Sequence, residues 1–347
     1  MFDIDPIETK GILRENWIIE VRDYVISCHW ILGGSVLLVG DVSGGIYALD
    51  GNTGNILWQK KKVHDGNLLA MSINSMGDLF ATSGQDGSIS IYQTSDGLIK
   101  ATIVIDNGWV EHLAWSKDNQ FIAASASKNV YVFDSSGKEK WRSEQQESTV
   151  SALAWSKSNE IAIACYGKVA FFNIDTNILN QKLEWRGSLV SMVLSPDGDI
   201  VACGSQDNTV HFWRRSTGED SMMSGYSGKP SNIAFDHTGK ILATGGSEII
   251  TVWSFKNDGP EGTHPGQLQY HLLPISSFAF APGSNRLASG SRDGSLAIWG
   301  LKDDGHGGIA GFSHMTDHIS TIAWKKDEKA LAAGDANGKV KTWKIKS

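Results

Sequence analysis

Short alternating stretches of apolar and small polar residues recur eight times along the chain, most of them with an aromatic side chain near the end. The positions that define this slot are Leu49, Tyr92, Phe133, Phe172, Trp213, Trp253, Trp299 and Trp343. Successive slots lie 39 to 46 residues apart. A period near forty residues with two-residue alternation is typical of an array of small β-sheets. Because one such unit is too small to bury its own faces, the pattern predicts that units stack on their neighbours.

A second pattern precedes each slot by about twenty residues, the interval expected of neighbouring strands in one sheet. This pattern predicts an inner strand whose last residue has a large side chain. The closing residues are Trp30, Ile73, Trp115, Trp155, Leu194, Phe235, Phe280 and Trp324. A tight turn and a strand rich in small residues follow, as in Ser195–Gly198 and Ala202–Ser205. The sequence therefore predicts an all-β fold, an eight-bladed β-propeller of four-stranded antiparallel blades, with residues 1–347 forming a single domain.

The thirteen tryptophans test this alignment, and twelve of them occupy a repeating slot. Four are predicted on inner strands and four on third strands. The remaining four of the twelve, Trp17, Trp58, Trp141 and Trp185, are predicted on outer fourth strands. Trp109 has no slot and lies just before an inner strand.

The beginning of the chain supplies a spare strand. The last repeat ends after its third strand, whereas residues 11–20 precede the first inner strand and alternate as a strand does. We expect this segment to join the last blade as its outer strand, which closes the propeller and covers an exposed sheet edge.

The composition of the chain indicates which classes of partner and which cellular location are expected. The formal net charge is −7 and the pI is about 5.8, which disfavours a nucleic-acid partner. Neither a basic, apolar signal sequence nor an apolar run long enough to span a membrane is evident, so a cytoplasmic protein without membrane contact is expected. The three cysteines, Cys28, Cys165 and Cys203, all lie in predicted strands, where buried reduced thiols are expected.

Several repeats resemble those of the WD-repeat β-propellers, and the resemblance covers essentially the whole chain. The best examples are residues 290–299 (GSRDGSLAIW), 195–198 (SPDG) and 204–213 (GSQDNTVHFW). The resemblance implies a structural hydrogen-bond network of His, Ser or Thr, Asp and an aromatic residue rather than a catalytic triad. The matching sets are His271, Ser289, Asp293 and Trp299, and His64, Thr82, Asp86 and Tyr92.

A second resemblance is to the eight-bladed quinoprotein-type propellers. Residues 48–58 (ALDGNTGNILW) are similar to the tryptophan-docking motif of that family, and residues 133–141 are a weaker echo. This resemblance implies an alternative function, a cofactor-binding propeller with a polar ligand site and a bound metal.

Two long loops after third strands contain histidines and leave a metal-handling role as another alternative. His264 and His306 are expected on one face of neighbouring blades, near Asp258, Glu261, Asp303 and Asp304. Histidine and carboxylate side chains bind divalent metals, but no spacing here is diagnostic of a site. We therefore predict no metal and no cofactor.

The opposite face is the predicted partner-binding surface, because it presents aromatic and charged residues from several repeats. The candidate residues are Tyr24, Gln85, Trp109, Glu111, Gln206, Lys229, Arg292 and His318. Trp and Arg are enriched at binding hot spots. We therefore expect a non-catalytic scaffold or adaptor for a protein or peptide partner, acting as a monomer or within a hetero-complex.

Overall fold

The computed structural model describes residues 9–105, 108–256 and 259–346, and these form eight antiparallel sheets. The first four blades, in chain order, contain the strands β3 Val25–Ile31, β4 Val36–Asp41, β5 Ile46–Asp50 and β6 Ile56–Lys60; β7 Leu68–Ile73, β8 Leu79–Gly84, β9 Ser88–Gln93 and β10 Ile99–Val104; β11 Val110–Trp115, β12 Phe121–Ala126, β13 Asn129–Asp134 and β14 Glu139–Arg142; β15 Ala152–Lys157, β16 Glu160–Cys165, β17 Lys168–Asn173 and β18 Ile178–Glu184. A 3-10 turn over Leu32–Gly34 joins β3 to β4.

The last four blades repeat the same order of strands. They contain β19 Leu189–Leu194, β20 Ile200–Ser205, β21 Val210–Arg214 and β22 Asp220–Met223; β23 Asn232–Phe235, β24 Ile241–Gly245, β25 Ile249–Ser254 and β26 Gly266–Gln269; β27 Ile275–Phe280, β28 Arg286–Ser291, β29 Ser295–Leu301 and β30 Gly307–His314; β31 Ile319–Trp324, β32 Ala330–Asp335 and β33 Lys339–Ile345. The predicted fold class, an eight-bladed β-propeller with four-stranded antiparallel blades, is confirmed.

The N-terminal segment completes the eighth blade. Strand β2, Leu13–Glu20, pairs antiparallel with β33, and Leu13 lies opposite Ile345. The expectation that an N-terminal strand joins the last blade is therefore confirmed.

The predicted bounds of that strand, residues 11–20, are wrong at their start. A two-residue strand β1, Lys10–Gly11, pairs instead with β30 of the seventh blade. Gly11 has φ +75°, and a Cβ there would lie 2.2 Å from the carbonyl oxygen of Ala310. Only glycine allows the chain to bend so closely past β30 and enter the next sheet.

Contacts divide the chain into two compact units. The first contains the described residues within 1–41, 48–57 and 234–347, and the second contains those within 42–47 and 58–233. The seventh and eighth blades lie wholly in the first unit, and the second to fifth blades lie wholly in the second. That the whole chain is one domain stays a prediction.

Each unit buries apolar side chains between successive blades. In the first unit, Ile298, Leu331 and Trp343 belong to one core cluster that joins the seventh and eighth blades. In the second unit, Ile91 and Tyr131 belong to the corresponding cluster between the second and third blades. The stacking of units that the repeat predicts is thus the source of burial, and burial of apolar surface is the main term that favours folding.

Four inner-strand tryptophans attach their blades to the preceding blade, the eighth blade preceding the first. Each donates its indole N–H to a backbone carbonyl of the preceding blade's inner strand. The bonds are Trp30 to Ala323 at 3.1 Å, Trp115 to Ser72 at 3.1 Å, Trp155 to Ala114 at 2.9 Å and Trp324 to Ala279 at 2.9 Å. A large ring that also satisfies its one polar atom explains why tryptophan recurs in this slot.

The second strands contain small residues because a neighbouring blade approaches closely. A Cβ on Gly290 would lie 2.4 Å from Cγ2 of Ile319, the first residue of the next inner strand. The three cysteines are free and buried, each within a strand. None of the described segments forms a helix with the length and hydropathy needed to cross a membrane.

Candidate functional site

The antiparallel order places two loops at the same end of every four-stranded sheet, which we call the top end. These are the link into the first strand and the turn between the second and third strands. A recurring backbone hydrogen bond joins them. The amide N–H groups of Gln85, Gln206, Arg292 and Ala336 donate to the carbonyls of Asn67, Ser188, Pro274 and His318 at 2.8 to 3.1 Å. These positions are therefore equivalent in their blades.

Three predicted site residues come together at the top end of the first unit. The rings of Tyr24 and His318 lie 6.1 Å apart between centroids and meet edge to face at 83°. Burial lowers the pKa of His318, and the nearby charge of Arg292 lowers it further. Burial raises the pKa of Tyr24. An uncharged aromatic pair thus lies beside an exposed guanidinium.

Two exposed leucines on the same unit were missed at the sequence level. Leu272 is 85% exposed and Leu273 is 48% exposed, and both directly precede Pro274 at the top end of the seventh blade. Their amide N–H groups donate to Oδ2 of Asp293 at 2.6 and 3.3 Å. The carboxylate therefore holds two large apolar side chains in solvent. A pair of leucines outside any strand pattern was the available signal.

The other five predicted residues belong to the second unit and remain separate. Trp109 is 55% exposed, and Glu111, Gln206 and Lys229 are exposed as well. Gln85 is half-buried, and its Oε1 accepts the N–H of Asn67 at 3.1 Å. In the part of the chain that the structure describes, no hydrogen bond, ion pair or ring contact joins these five side chains to one another.

Tyr166 is a further top-end residue that the sequence pattern did not identify. The pairing of Ala152 with Ala164 in the fourth blade matches that of Ser191 with Gly204 in the fifth. Tyr166 is therefore equivalent to Gln206, and it is 57% exposed. The turn after Cys165 lacks the Asp that marks this position in better-matching repeats, so alignment of the turns alone passed over it.

A cavity of about 750 Å³ lies beside Tyr166. Its other wall includes Trp185, which stacks on His211 with ring centroids 3.9 Å apart. Trp185 directly follows β18, so the prediction that it lies within an outer strand is wrong. The backbone amide N–H of Trp185 donates to the carbonyl of Gly167 at 2.9 Å, and the amide of Gly167 donates to the carbonyl of Gly187 at 3.0 Å.

At the opposite, bottom end of the first unit, the two histidine-bearing loops share a cavity of about 890 Å³. His264, His306, Glu261 and Asp304 all line it. Lys256 and Asp303 bridge the loops at 2.5 Å. Asp258, which the sequence placed near this site, lies outside the described residues. Among the residues that are described, no three His, Cys, Asp or Glu side chains are grouped as a metal site requires.

The histidine network of the seventh blade is a continuous chain of donors and acceptors. The indole of Trp299 donates to Oγ of Ser289 at 2.8 Å, and that hydroxyl lies 2.7 Å from Nε2 of His271. Nδ1 of His271 lies 2.6 Å from Oγ of Ser295, which donates to Asp293. The histidine therefore reaches the aspartate through Ser295 and not directly.

This arrangement sets the charge states of the network. Burial lowers the pKa of His271 to about 4. Burial by itself would raise the pKa of Asp293, but hydrogen bonds from Ser295 and from the Leu272 amide outweigh it and lower that pKa to about 2. A neutral histidine next to an ionised aspartate, with Ser289 used by two partners, suits a structural role and leaves no free nucleophile.

In the second blade, His64 reaches Asp86 directly and also through Ser88, whose Oγ lies 2.9 Å from Nδ1 of His64. Nδ1 of His64 lies 3.1 Å from Oδ1 of Asp86, and Nε2 lies 2.9 Å from Oγ1 of Thr82. Thr82 also interacts with the side chain of Tyr92. Burial lowers the pKa of His64, so this histidine is also mainly uncharged near neutral pH.

The fifth blade fills the same positions differently. Trp185 precedes the inner strand by four residues, as His271 does, and Cys203 occupies the position of Ser289. His211, on the third strand, lies between Trp185 and Trp213, with its centroid 4.3 Å from that of Trp213. Nε2 of His211 is 3.0 Å from Asp220, but without hydrogen-bond geometry.

Comparison with known families supports both resemblances. Residues 30–222, more than half of the chain, match the PQQ-type family model described as outer membrane protein assembly factor BamB. Residues 262–300 and 309–344 match the model of the WD domain, G-beta repeat.

Several curated proteins are similar to this chain over most of its length. The chain is 27% identical over 290 residues to autophagy-related protein 16 of Arabidopsis thaliana, covering 81% of this chain and 56% of that protein. It is 25% identical over 300 residues to actin-interacting protein 1 of Caenorhabditis elegans, covering 81% and 47%. The chain spans about half the length of these curated relatives.

Solved structures share the fold. The C-terminal WD40 domain of Sif2 superposes with a TM-score of 0.83 at 14% identity, covering 97% of this chain and 99% of that one. The computationally designed Ika8 protein superposes with a TM-score of 0.79 at 20% identity, covering 94% and 98%. The chain therefore belongs to the PQQ-type repeat family through residues 30–222, and its C-terminal repeats are similar to the WD-domain repeat.

Proposed function

We propose that this protein is a non-catalytic scaffold that binds a protein or peptide partner through the top ends of its blades. The observation that carries the proposal is the exposure of large apolar side chains at those ends. Trp109, Tyr166 and Leu272, from three different blades, are each more than half exposed. Aromatic residues are enriched among binding hot spots, and two of these three side chains are aromatic.

The backbone that presents these residues supports the proposal. In the seventh blade, Asp293 accepts both leucine amides, and Ser291 Oγ donates to the carbonyl of Leu273 at 2.8 Å. A loop held in this way loses little conformational freedom when a partner binds. The same unit that contains Leu272 and Leu273 also contributes one charged residue, Arg292, and two aromatic rings, those of His318 and Tyr24.

The names of the relatives support a binding role in general terms. One is described as an actin-interacting protein, and another, from Dictyostelium discoideum, as a subunit of the anaphase-promoting complex. The matched PQQ-type family is described as an assembly factor. We extend only the common element, binding to another protein, to this chain. A cytoplasmic location is part of the proposal, and three free, buried thiols are compatible with a reducing compartment.

The test compares top-end variants with a matched bottom-end control in affinity capture from an extract of the source cells. Trp109→Ala and Leu272→Ser remove exposed apolar groups at the top end. Met76→Ala removes one that is 74% exposed in the turn between the first two strands of the second blade, at the bottom end. All three variants should keep the unfolding temperature of the native chain, because surface substitutions change stability little.

We expect one partner at near-equal stoichiometry with the native chain and with Met76→Ala, and its loss or a reduction of about tenfold with a top-end variant. A partner that is retained equally by all four proteins would show that the top ends are not the binding surface. Capture of no stoichiometric partner by the native chain would contradict the scaffold proposal itself.

A further inference from the structure

The cavity beside Tyr166 has an aromatic wall with a fixed orientation. Tyr166 lies in the turn between the second and third strands of the fourth blade, and Trp185 follows the fourth strand of the same blade. One face of the Trp185 ring is stacked on His211 at 3.9 Å, which holds the indole in place. The cavity of about 750 Å³ is large enough for two or three side chains of a peptide.

The charges around this cavity do not balance. Glu147 and Glu184 each accept a hydrogen bond from a lysine, Lys168 at 2.9 Å and Lys182 at 2.6 Å, and these bonds lower the pKa of both carboxyls. Arg186 also lines the cavity and is exposed. Its guanidinium has no hydrogen-bond or ion-pair partner among the described residues. The unneutralised charge at the cavity is therefore positive and belongs to Arg186.

We propose that this cavity binds a segment of the partner protein in which an acidic side chain stands next to an aromatic or large aliphatic one. The carboxylate pairs with Arg186, whose planar guanidinium matches a carboxylate in two parallel hydrogen bonds. The apolar neighbour packs on Tyr166 and Trp185. The inference rests on the proposed function, because it specifies the chemistry of the partner at one top-end position.

The same charges argue against other ligands. A basic peptide would meet Arg186 and two lysines, whose carboxylate partners are already used. An extended polyanion such as a nucleic acid would also meet the carboxylates of Glu147 and Glu184, on a chain of net charge −7. A short segment with one or two acidic groups satisfies the guanidinium and avoids both carboxylates.

The test is selection of a random peptide library displayed on phage against the full chain, followed by affinity measurement of the enriched peptides by fluorescence anisotropy. The variants are Arg186→Glu and Tyr166→Ala. The control is Arg142→Glu, which makes the same charge change at an exposed arginine on the outer strand of the third blade. Circular dichroism and unfolding temperature establish that each variant is folded.

We expect enriched peptides to contain Asp or Glu beside an aromatic or large aliphatic residue. Arg186→Glu should weaken their binding by about tenfold or more, and Tyr166→Ala by about fivefold or more, whereas Arg142→Glu should change it less than about twofold. Enrichment of basic peptides, absence of enrichment over the empty support, or equal loss with Arg142→Glu and Arg186→Glu would overturn the proposal.

The two proposals fail in different ways. If Trp109→Ala or Leu272→Ser releases the partner captured from extract but Arg186→Glu leaves both that partner and the selected peptides bound, the scaffold function stands and the acidic-segment inference is wrong. If the native chain captures no partner from extract yet binds acidic peptides through Arg186, the peptide site stands and the proposed function fails.

Discussion

The seventh and fifth blades fill equivalent buried positions with different side chains and different interactions. In the seventh, His271, Ser289 and Trp299 form a hydrogen-bonded chain in which each buried polar atom has a partner. In the fifth, Trp185 and Cys203 take the equivalent positions, and ring stacking on His211 replaces the hydrogen bonds. Neither the indole N–H of Trp185 nor the ring nitrogens of His211 make a hydrogen bond within the described residues.

The difference shows that the repeat constrains shape more strongly than polarity. Both arrangements place a flat ring between the link into the first strand and the third strand. The fifth blade leaves buried polar atoms unsatisfied, and each such atom costs about 1–3 kcal/mol. Part of that cost is offset by aromatic contacts worth about 0.5–1.5 kcal/mol each. We therefore expect the seventh blade to depend on single polar atoms and the fifth blade to depend on ring area.

The largest expected effect is common to both blades. Trp299→Ala and Trp213→Ala should each lower the free energy of unfolding by about 3–5 kcal/mol, because both rings are almost fully buried and truncation leaves a cavity. Urea denaturation of the two variants measures this. A loss below about 1 kcal/mol at either position would show that burial of the ring is not what the two blades share.

Lowering the pH should reduce the free energy of unfolding through protonation of His271 in the seventh blade. The folded-state pKa of His271 is about 4, below its ordinary value of 6.5, so the unfolded chain binds more protons between these values. The contribution of His271 to the free energy of unfolding is therefore fully present above pH 6.5. It falls by about 3 kcal/mol as the pH drops towards 4. Burial lowers the pKa of His211 as well, so the fifth blade contributes with the same sign.

Denaturation curves from pH 7.5 to 4 for the native chain and His271→Gln measure this contribution. The variant is less stable at neutral pH, but its stability should decline less steeply with acid because the titrating group is gone. Parallel curves for the two proteins would mean that His271 does not carry the acid sensitivity.

A smaller effect separates the two blades. Ser289→Ala should cost about 2–3 kcal/mol, since Oγ of Ser289 serves both Trp299 and His271, and its removal leaves two buried groups unpaired. Cys203→Ala should cost about 1 kcal/mol, the loss of a small buried apolar group without a hydrogen bond. Equal destabilisation by the two substitutions, measured by urea denaturation, would remove the distinction between the blades.

The smallest effect isolates one hydrogen bond. Trp299→Phe and Trp213→Phe remove similar volume, but only Trp299 donates its indole N–H to a buried serine. We expect the first variant to be less stable than the second by about 1 kcal/mol. Thermal unfolding of both proteins provides the measurement, and a difference of zero or of opposite sign would contradict the assigned role of the indole N–H.

The blades could be predicted from the sequence because the signals for strands and turns are local. Alternation over five or six residues decides which side chains of a strand are buried, and a turn motif such as Ser195–Gly198 decides where the strand ends. The outer strand at Leu13–Glu20 was predicted from the same alternation. The place where that strand begins was not, because the bend at Gly11 depends on how closely β30 approaches.

The candidate site residues could be predicted only in part, because some of them have no local sequence signal. The sequence named Arg292, Tyr24 and His318 by register, and the structure brings them together. It did not name Tyr166, whose turn lacks the Asp of the better repeats, nor Leu272, whose exposure depends on Asp293 holding the loop.

The amino-acid sequence by itself determined the number of blades and the slots for tryptophan on the inner and third strands, because two-residue alternation and turn residues act within one repeat. Only the tertiary structure decided that His271 reaches Asp293 through Ser295, that Trp185 stacks on His211, and that Tyr166 and Arg186 share a cavity. Those contacts join residues from different strands and loops, and their geometry is set by packing distances that no single stretch of sequence specifies.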